Sequence, residues 1–146
     1  MKISTKGRYA LRMMLDIAEH DSGDPVRVKD IAERQGISIK YLEQIVSMLV
    51  KADFLRSIRG PQGGYLLNRK PAEYTVGSIL RLTEGNLAPV ECLSTPVNPC
   101  ERSQGCVTLR LWTEVNEAIA SVVDKYTLED LLEWKRQANG IQDFVI

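Results

Sequence analysis

The chain has 146 residues, 44% of them hydrophobic and 26% charged, which suits one ordinary domain or a small domain with a helical arm and excludes a disordered chain. With no apolar run of about 18 residues, and with charges through its first turns, the sequence excludes a spanning helix and predicts a cytoplasmic protein. The formal net charge of zero hides an asymmetry: 13 Lys and Arg stand against 8 Asp and Glu through Lys70, and 6 against 11 from Pro71 onward, so only the first half suits a polyanion.

From Thr5 to His20 apolar residues recur at helical spacing, with Ala10, Met14, Ile17 and Ala18 on one face. Turn formers in "DSGDP" end this helix. "VRVKDIAERQG" then predicts a short helix that buries Val28, Ile31 and Ala32 and closes at Gly36. Ser38 is placed to cap a third helix whose Ile39, Leu42, Ile45, Val46 and Leu49 face inward. Two helices joined by a turn of about three residues make a helix-turn-helix. "FLRSIRGPQGGYLLN" follows as two strand-like runs around Gly60, Pro61, Gly63 and Gly64, a hairpin that in this place is a wing.

"YTVGSILRLTEG", Tyr74 to Gly85, predicts another short helix started by Thr75. From about Cys106 the pattern is strongly helical, and Trp112, Val115, Ile119, Val122 and Tyr126 step by three and four like a coiled-coil seam that asks for a partner helix. "TLED", Thr127 to Asp130, resembles a capping box opening a short last helix through Trp134. The expected fold is therefore mainly α with a small β-wing. Residues 1–85 form a winged helix-turn-helix domain, 86–106 a cysteine loop, 107–135 a dimerisation helix with a short C-terminal helix, and 136–146 a tail.

The second helix of a helix-turn-helix reads the major groove with its N-terminal outward residues, here Ser38, Lys40, Tyr41, Glu43 and Gln44. Gln pairs bidentately with adenine, Glu accepts from cytosine N4, and Lys or Tyr holds phosphate or bases. Glu43 is a carboxylate among phosphates, so it acts as a filter against sequences lacking a cytosine amine, unless Lys40 or Lys51 merely neutralises it. Arg56, Arg59, Arg69 and Lys70 make the wing basic. Arg59, directly before the glycine turn, is placed to enter a narrow minor groove.

Every cysteine lies in "ECLSTPVNPCERSQGC": seven residues separate Cys92 from Cys100, and five separate Cys100 from Cys106. Structural zinc sites use pairs two to four residues apart, a spacing absent here, whereas iron-sulfur clusters tolerate varied thiolate spacing. The polar surroundings argue against inert buried thiols. Cys106 also stands where the long helix begins, so free backbone N–H groups and the helix dipole favour its thiolate. His20, the only histidine, ends the first helix, where a solvated side chain is expected over a ligand role.

"STKGRYALRMMLDIA", "ERQGIS", "YLEQ", "RGPQGGYLL", three spaced cysteines and "TLRLW" together resemble the IscR-type regulators, bacterial winged-helix repressors and activators of the Rrf family that sense iron-sulfur supply. The resemblance runs from Met1 to about Leu132. It implies a homodimer that binds promoter operators in double-stranded DNA, with Trp112, Val115, Ile119 and Val122 at the dimer interface. It also implies an iron-sulfur cluster on Cys92, Cys100 and Cys106, and control of cluster-assembly genes. In the family pattern a histidine three residues after the last cysteine completes the site; Leu109 stands there and cannot ligate. Related sensors without that histidine hold 4Fe-4S clusters, but the IscR-like DNA-binding half favours 2Fe-2S. Glu91, Asn98, Glu101, Thr108, a partner residue or a small thiol are the candidate fourth donors.

Two other readings stay open at this level. One is a thiol switch in which Cys100 and Cys106 form a disulfide, and the other a protein-docking winged module with zinc in its loop. An enzyme is not expected, since no acid-base pair, nucleophile-His arrangement or phosphate-binding glycine loop occurs.

Overall fold

Ser4 starts the first helix because its hydroxyl can accept the Gly7 N–H, at 3.1 Å, in the computed structural model, which describes residues 2–144 and side chains through residue 140. Helix α1 (Thr5–Glu19) buries Ala10, Met13, Met14, Ile17 and Ala18, the face its spacing predicts plus one more methionine. Helix α2 (Val28–Gln35) ends at Gly36, whose φ of 65° is the left-handed cap expected of glycine. Ile31 and Ala32 are buried, but Val28, at the first helical position, reaches only the edge of the core.

Helix α3 (Ile39–Lys51) is capped by Ser38, which accepts the Tyr41 N–H at 3.2 Å. Leu42, Ile45, Val46 and Leu49 face inward as predicted. Ile39 does not: it is 45% exposed, because Ile37 in the preceding turn takes the core position at that end. Strands β1 (Leu55–Ile58) and β2 (Gly64–Leu67) pair antiparallel with Leu55 opposite Leu67 and Ile58 opposite Gly64. Val26 adds a bridge to Tyr65, exchanging two backbone bonds of 2.9 Å. Gly64 permits this approach, since a Cβ there would lie 2.5 Å from the Val26 carbonyl oxygen.

Helix α4 (Val76–Glu84) is capped by Thr75. Tyr74, just before the cap, is fully buried, its hydroxyl donating to Phe54 O at 2.8 Å and accepting the Asn68 and Arg69 N–H groups at 3.0 Å. Helix α5 (Val107–Val123) buries none of its side chains fully. Helix α6 (Leu128–Phe144) opens on the predicted Thr127–Asp130 box and drops Leu128 and Leu132 into the core. It does not stop at Trp134. Lys135 pairs with Glu19 of α1, Arg136 pairs with Glu129 and Glu133 along the helix, and no proline interrupts the turns that follow.

Among the described residues one charge lies inside this core. Asp16, 1% exposed, accepts from Arg34 Nε and Nη2 at 3.1 and 2.7 Å and from Gln35 Nε2 at 2.9 Å, tying α1 to the end of α2. Burial disfavours its charge, but the hydrogen bonds from Arg34 and Gln35 and the Arg34 charge outweigh burial and hold the carboxyl below its ordinary value.

A folded-state value below the unfolded one means that Asp16 stabilises the fold fully above about pH 3.9 and that this contribution is lost as pH falls through the folded value. Urea unfolding across acidic pH should therefore show a loss of stability that Asp16→Asn lacks, the variant being weaker at neutral pH. Tyr74→Phe, which leaves three backbone groups without their partner, should lower unfolding stability by about 2 kcal/mol in the same assay.

Candidate nucleic-acid interface and cysteine loop

Helix α3 turns one face to the core and leaves Ser38, Lys40, Glu43 and Gln44 on the other, exposed together. Among the described residues Glu43 makes no ion pair with Lys40 or Lys51, so its carboxylate stands free on the outward face. Ser38 doubles as the helix cap. Tyr41 is less free than the sequence suggests: it is half-buried, edge-on to Tyr9 at 5.7 Å, with the Arg12 guanidinium over the Tyr9 ring at 5.3 Å.

Arg59 is exposed at the tip of the β1–β2 hairpin, and Arg56 is exposed on β1. Arg69 is differently employed. Its guanidinium lies 5.4 and 5.2 Å from the Phe54 and Tyr74 rings, where it closes the base of the wing. Sequence reasoning missed the groove between α3 and the wing, lined by Glu43, Ser47, Lys51, Ser57 and Tyr65. The signal was present as Glu43, Ser47 and Lys51, one stripe at four-residue steps on the outward face.

The cysteine loop is held differently from the winged body. Leu87 is buried and anchors its start, and single 3-10 turns shape Glu91–Leu93 and Ser103–Gly105. Among the described residues every hydrogen bond inside 86–106 is local, as between Ser94 and Glu91 or from the Cys100 N–H to Asn98 Oδ1 at 2.9 Å. All three cysteines are free thiols, Cys92 half-buried and Cys100 and Cys106 exposed. They are not gathered: among the described residues no group of three His, Cys, Asp or Glu side chains is placed to hold a metal ion.

Cys106 is the N-cap of α5, as the sequence predicts. Its thiol is pulled below the ordinary value by the Thr108 hydroxyl, 3.4 Å from Sγ, then by the Leu109 and Thr108 N–H groups and the Arg102 charge. Leu109 sits half-buried in the first turn of α5. The donor set thus suits a thiolate-bound cluster at three positions, while the Leu109 position offers no donor.

A helix-turn-helix with an adjoining hairpin wing and exposed polar residues on its second helix defines a DNA-binding regulator of the winged class. The chain belongs to the Rrf2 family of iron-dependent transcriptional regulators, whose model matches residues 3–134. It is therefore a transcription regulator and not an enzyme, and the IscR-type resemblance of its motifs falls within this family. Protein rrf2 of Nitratidesulfovibrio vulgaris is 44% identical over 133 residues, which cover 90% of this chain and 87% of the relative. The solved structure of CymR, the global cysteine regulator of B. subtilis, is similar with a TM-score of 0.77 and 40% identity, covering 92% of this chain and 98% of that one. IscR of T. potens is similar with a TM-score of 0.76 and 40% identity, covering 94% and 90%. No helix among the described residues is long and apolar enough to cross a membrane.

The lowered thiol of Cys106 gives a direct test on metal-free protein. Iodoacetamide at neutral pH, followed by peptide mass spectrometry, should alkylate Cys106 ahead of Cys100, although both are exposed. Thr108→Val should slow Cys106 at neutral pH and leave its rate at high pH unchanged.

Proposed function

We propose that this regulator is a cytoplasmic homodimer whose promoter choice depends on an iron-sulfur cluster held by Cys92, Cys100 and Cys106, and that it controls genes for cluster biogenesis. The observation that carries this reading is the state of the loop: three unpaired thiols on a segment with only local hydrogen bonds, ending at the N-cap of a helix that buries nothing fully. A 2Fe-2S cluster is preferred to 4Fe-4S on the likeness to IscR. When bound, the cluster supplies a rigid cross-link between three points of the loop.

Within the chain, Leu87 fixes one end of the loop to the core and Cys106 fixes the other to α5. Helix α5 supplies the dimer arm, where Trp112 and Val122 are 36% and 55% exposed and Val115 and Ile119 half-buried, an apolar stripe that a second copy covers. Ordering the loop at the root of this arm biases how two winged heads meet adjacent half-sites. On DNA, Gln44 and Lys40 read or hold, Glu43 rejects, and Arg59 enters the minor groove.

A thiol switch without a cluster is the second reading, favoured by the reactive state of Cys106 and by the likeness to CymR. The two separate on protein purified without oxygen. Broad visible absorption with matched iron and sulfide, lost in Cys92→Ala, is expected; a colourless protein that resists reconstitution gives the thiol switch. Removing the cluster should change DNA affinity by about 1 to 3 kcal/mol at some promoters. Arg59→Ala should weaken binding and relax preference for narrow A·T-rich minor grooves, and unchanged affinity on every duplex removes it from the mechanism.

A further inference from the structure

Helix α2 begins without the side-chain cap found on α1, α3 and α4: its N-cap is Arg27, whose side chain makes no capping hydrogen bond. The side chain goes elsewhere. Arg27 Nη2 donates to the Pro61 carbonyl at the tip of the wing, 2.6 Å away and across 34 positions of sequence. This is a charge-assisted bond to backbone, so it fixes the path of the tip and not merely a neighbouring side chain.

The surroundings make that bond the tip's outer anchor. One step before Arg27, Val26 is already bonded to Tyr65 of β2 by two backbone hydrogen bonds of 2.9 Å. Beyond β1 and β2, the tip carries one backbone bond of its own, from the Gly63 N–H to Gly60 O at 2.9 Å, and Gly60 has a φ of 112° that glycine alone adopts readily. Arg59, beside this turn, has no hydrogen-bond or ion-pair partner among the described residues. Its direction follows the backbone that Arg27 grips.

We infer that Arg27 is a positioning residue for DNA-shape recognition: by holding Pro61 it clamps the wing tip to the start of α2 and presents Arg59 in the orientation that enters the minor groove. The inference rests on the reading of Arg59 given above. It also explains an arginine at a cap position where Ser, Thr, Asp or Asn is preferred. The competing role for an exposed arginine on this surface is a plain phosphate contact, and the two differ in what they predict.

The test uses full-length protein in one fixed metal state and a duplex selected by the wild-type chain from a random pool, with a second duplex whose A·T tract is replaced by G·C. Arg27→Met is the principal variant, because it keeps length and loses both charge and donor; Arg27→Lys keeps the charge. In the free protein, amide hydrogen exchange at Gly63 and Gly64 should speed up in Arg27→Met, and unchanged exchange overturns the clamp whatever DNA binding does. In fluorescence anisotropy, Arg27→Met should weaken binding to the selected duplex about fivefold and narrow the discrimination between the two duplexes. The same substitution made in Arg59→Ala should add little, because the two residues act as one unit.

A phosphate contact gives the opposite pattern: the same loss in both backgrounds, full recovery with Arg27→Lys, and a salt slope lower by about one in Arg27→Met. That pattern overturns the proposal. If Arg59→Ala alone leaves affinity unchanged while Gly63 exchange still responds to Arg27→Met, the clamp exists but the groove role of Arg59 fails, and the two failures are told apart.

Discussion

Tyr74 is the side chain on which the wing and the C-terminal arm both depend. Its backbone carbonyl accepts the Leu128 N–H at 3.0 Å, and the next residues bridge the same junction through Thr75 and Thr127 and through the Val76 N–H to Tyr126 O. Its hydroxyl, at the other end of a fully buried ring, closes three backbone groups at the base of the wing. Burial pushes the phenol's pKa up against the opposing hydrogen bonds from Arg69 and Asn68, so the proton that it donates to Phe54 is retained. The wing and the segment that leads back from α5 are therefore fastened to opposite ends of one rigid residue. A buried phenol with three partners has no cheap second arrangement, because each released backbone group loses its bond without gaining water.

Helix α4 extends this rigidity toward the loop through two close approaches. Gly7 of α1 leaves room for the Glu84 carboxylate, which accepts from the Ser4 N–H at 3.1 Å and from the Ser4 hydroxyl. Gly77 leaves room for the Arg81–Asp124 pair that joins α4 to the end of α5. A side chain at either glycine collides with the partner's polar atoms. Although the Arg81–Asp124 pair is exposed and weak by itself, two parallel hydrogen bonds fix its direction. The cysteine loop leaves α4 just beyond Glu84 and re-enters the fold at the start of α5, the opposite end of that helix from Asp124.

The parts legible in the sequence were those written as local chemistry. Ser38, Thr75, Gly36 and the Thr127–Asp130 box act within a few residues of where they stand, and each was found where spacing placed it. The same holds for Cys106 at its helix terminus. What escaped was set by distant neighbours. Ile39 has the period of a core residue, yet Ile37 occupies the space; the role of Tyr74 at the base of the wing comes from Phe54, 20 positions away. Arg69 counts as a wing cation until Phe54 and Tyr74 are seen beneath it. The length of α6 escaped for the same reason, its hold on α1 through Lys135 and Glu19 spanning 116 positions.

The contrast between the winged body and the loop is a gradient of local stability. Buried Asp16 and Tyr74, the Val26–Tyr65 bridge and the core leucines tie residues far apart in sequence, whereas the loop from Asn86 to Cys106, anchored at its start by Leu87, is hydrogen-bonded only to itself among the described residues. Opening or ordering such a segment leaves the helix-turn-helix and wing folded, because few bonds are shared between them. Charge adds direction to this division. The half that holds the helix-turn-helix and wing is basic and suits a polyanion, whereas the half that contains the loop and both C-terminal helices is acidic and does not. The loop side and the winged body meet where α5 returns to α4, through the Arg81–Asp124 pair and the Val76 N–H bond to Tyr126 O beside Tyr74.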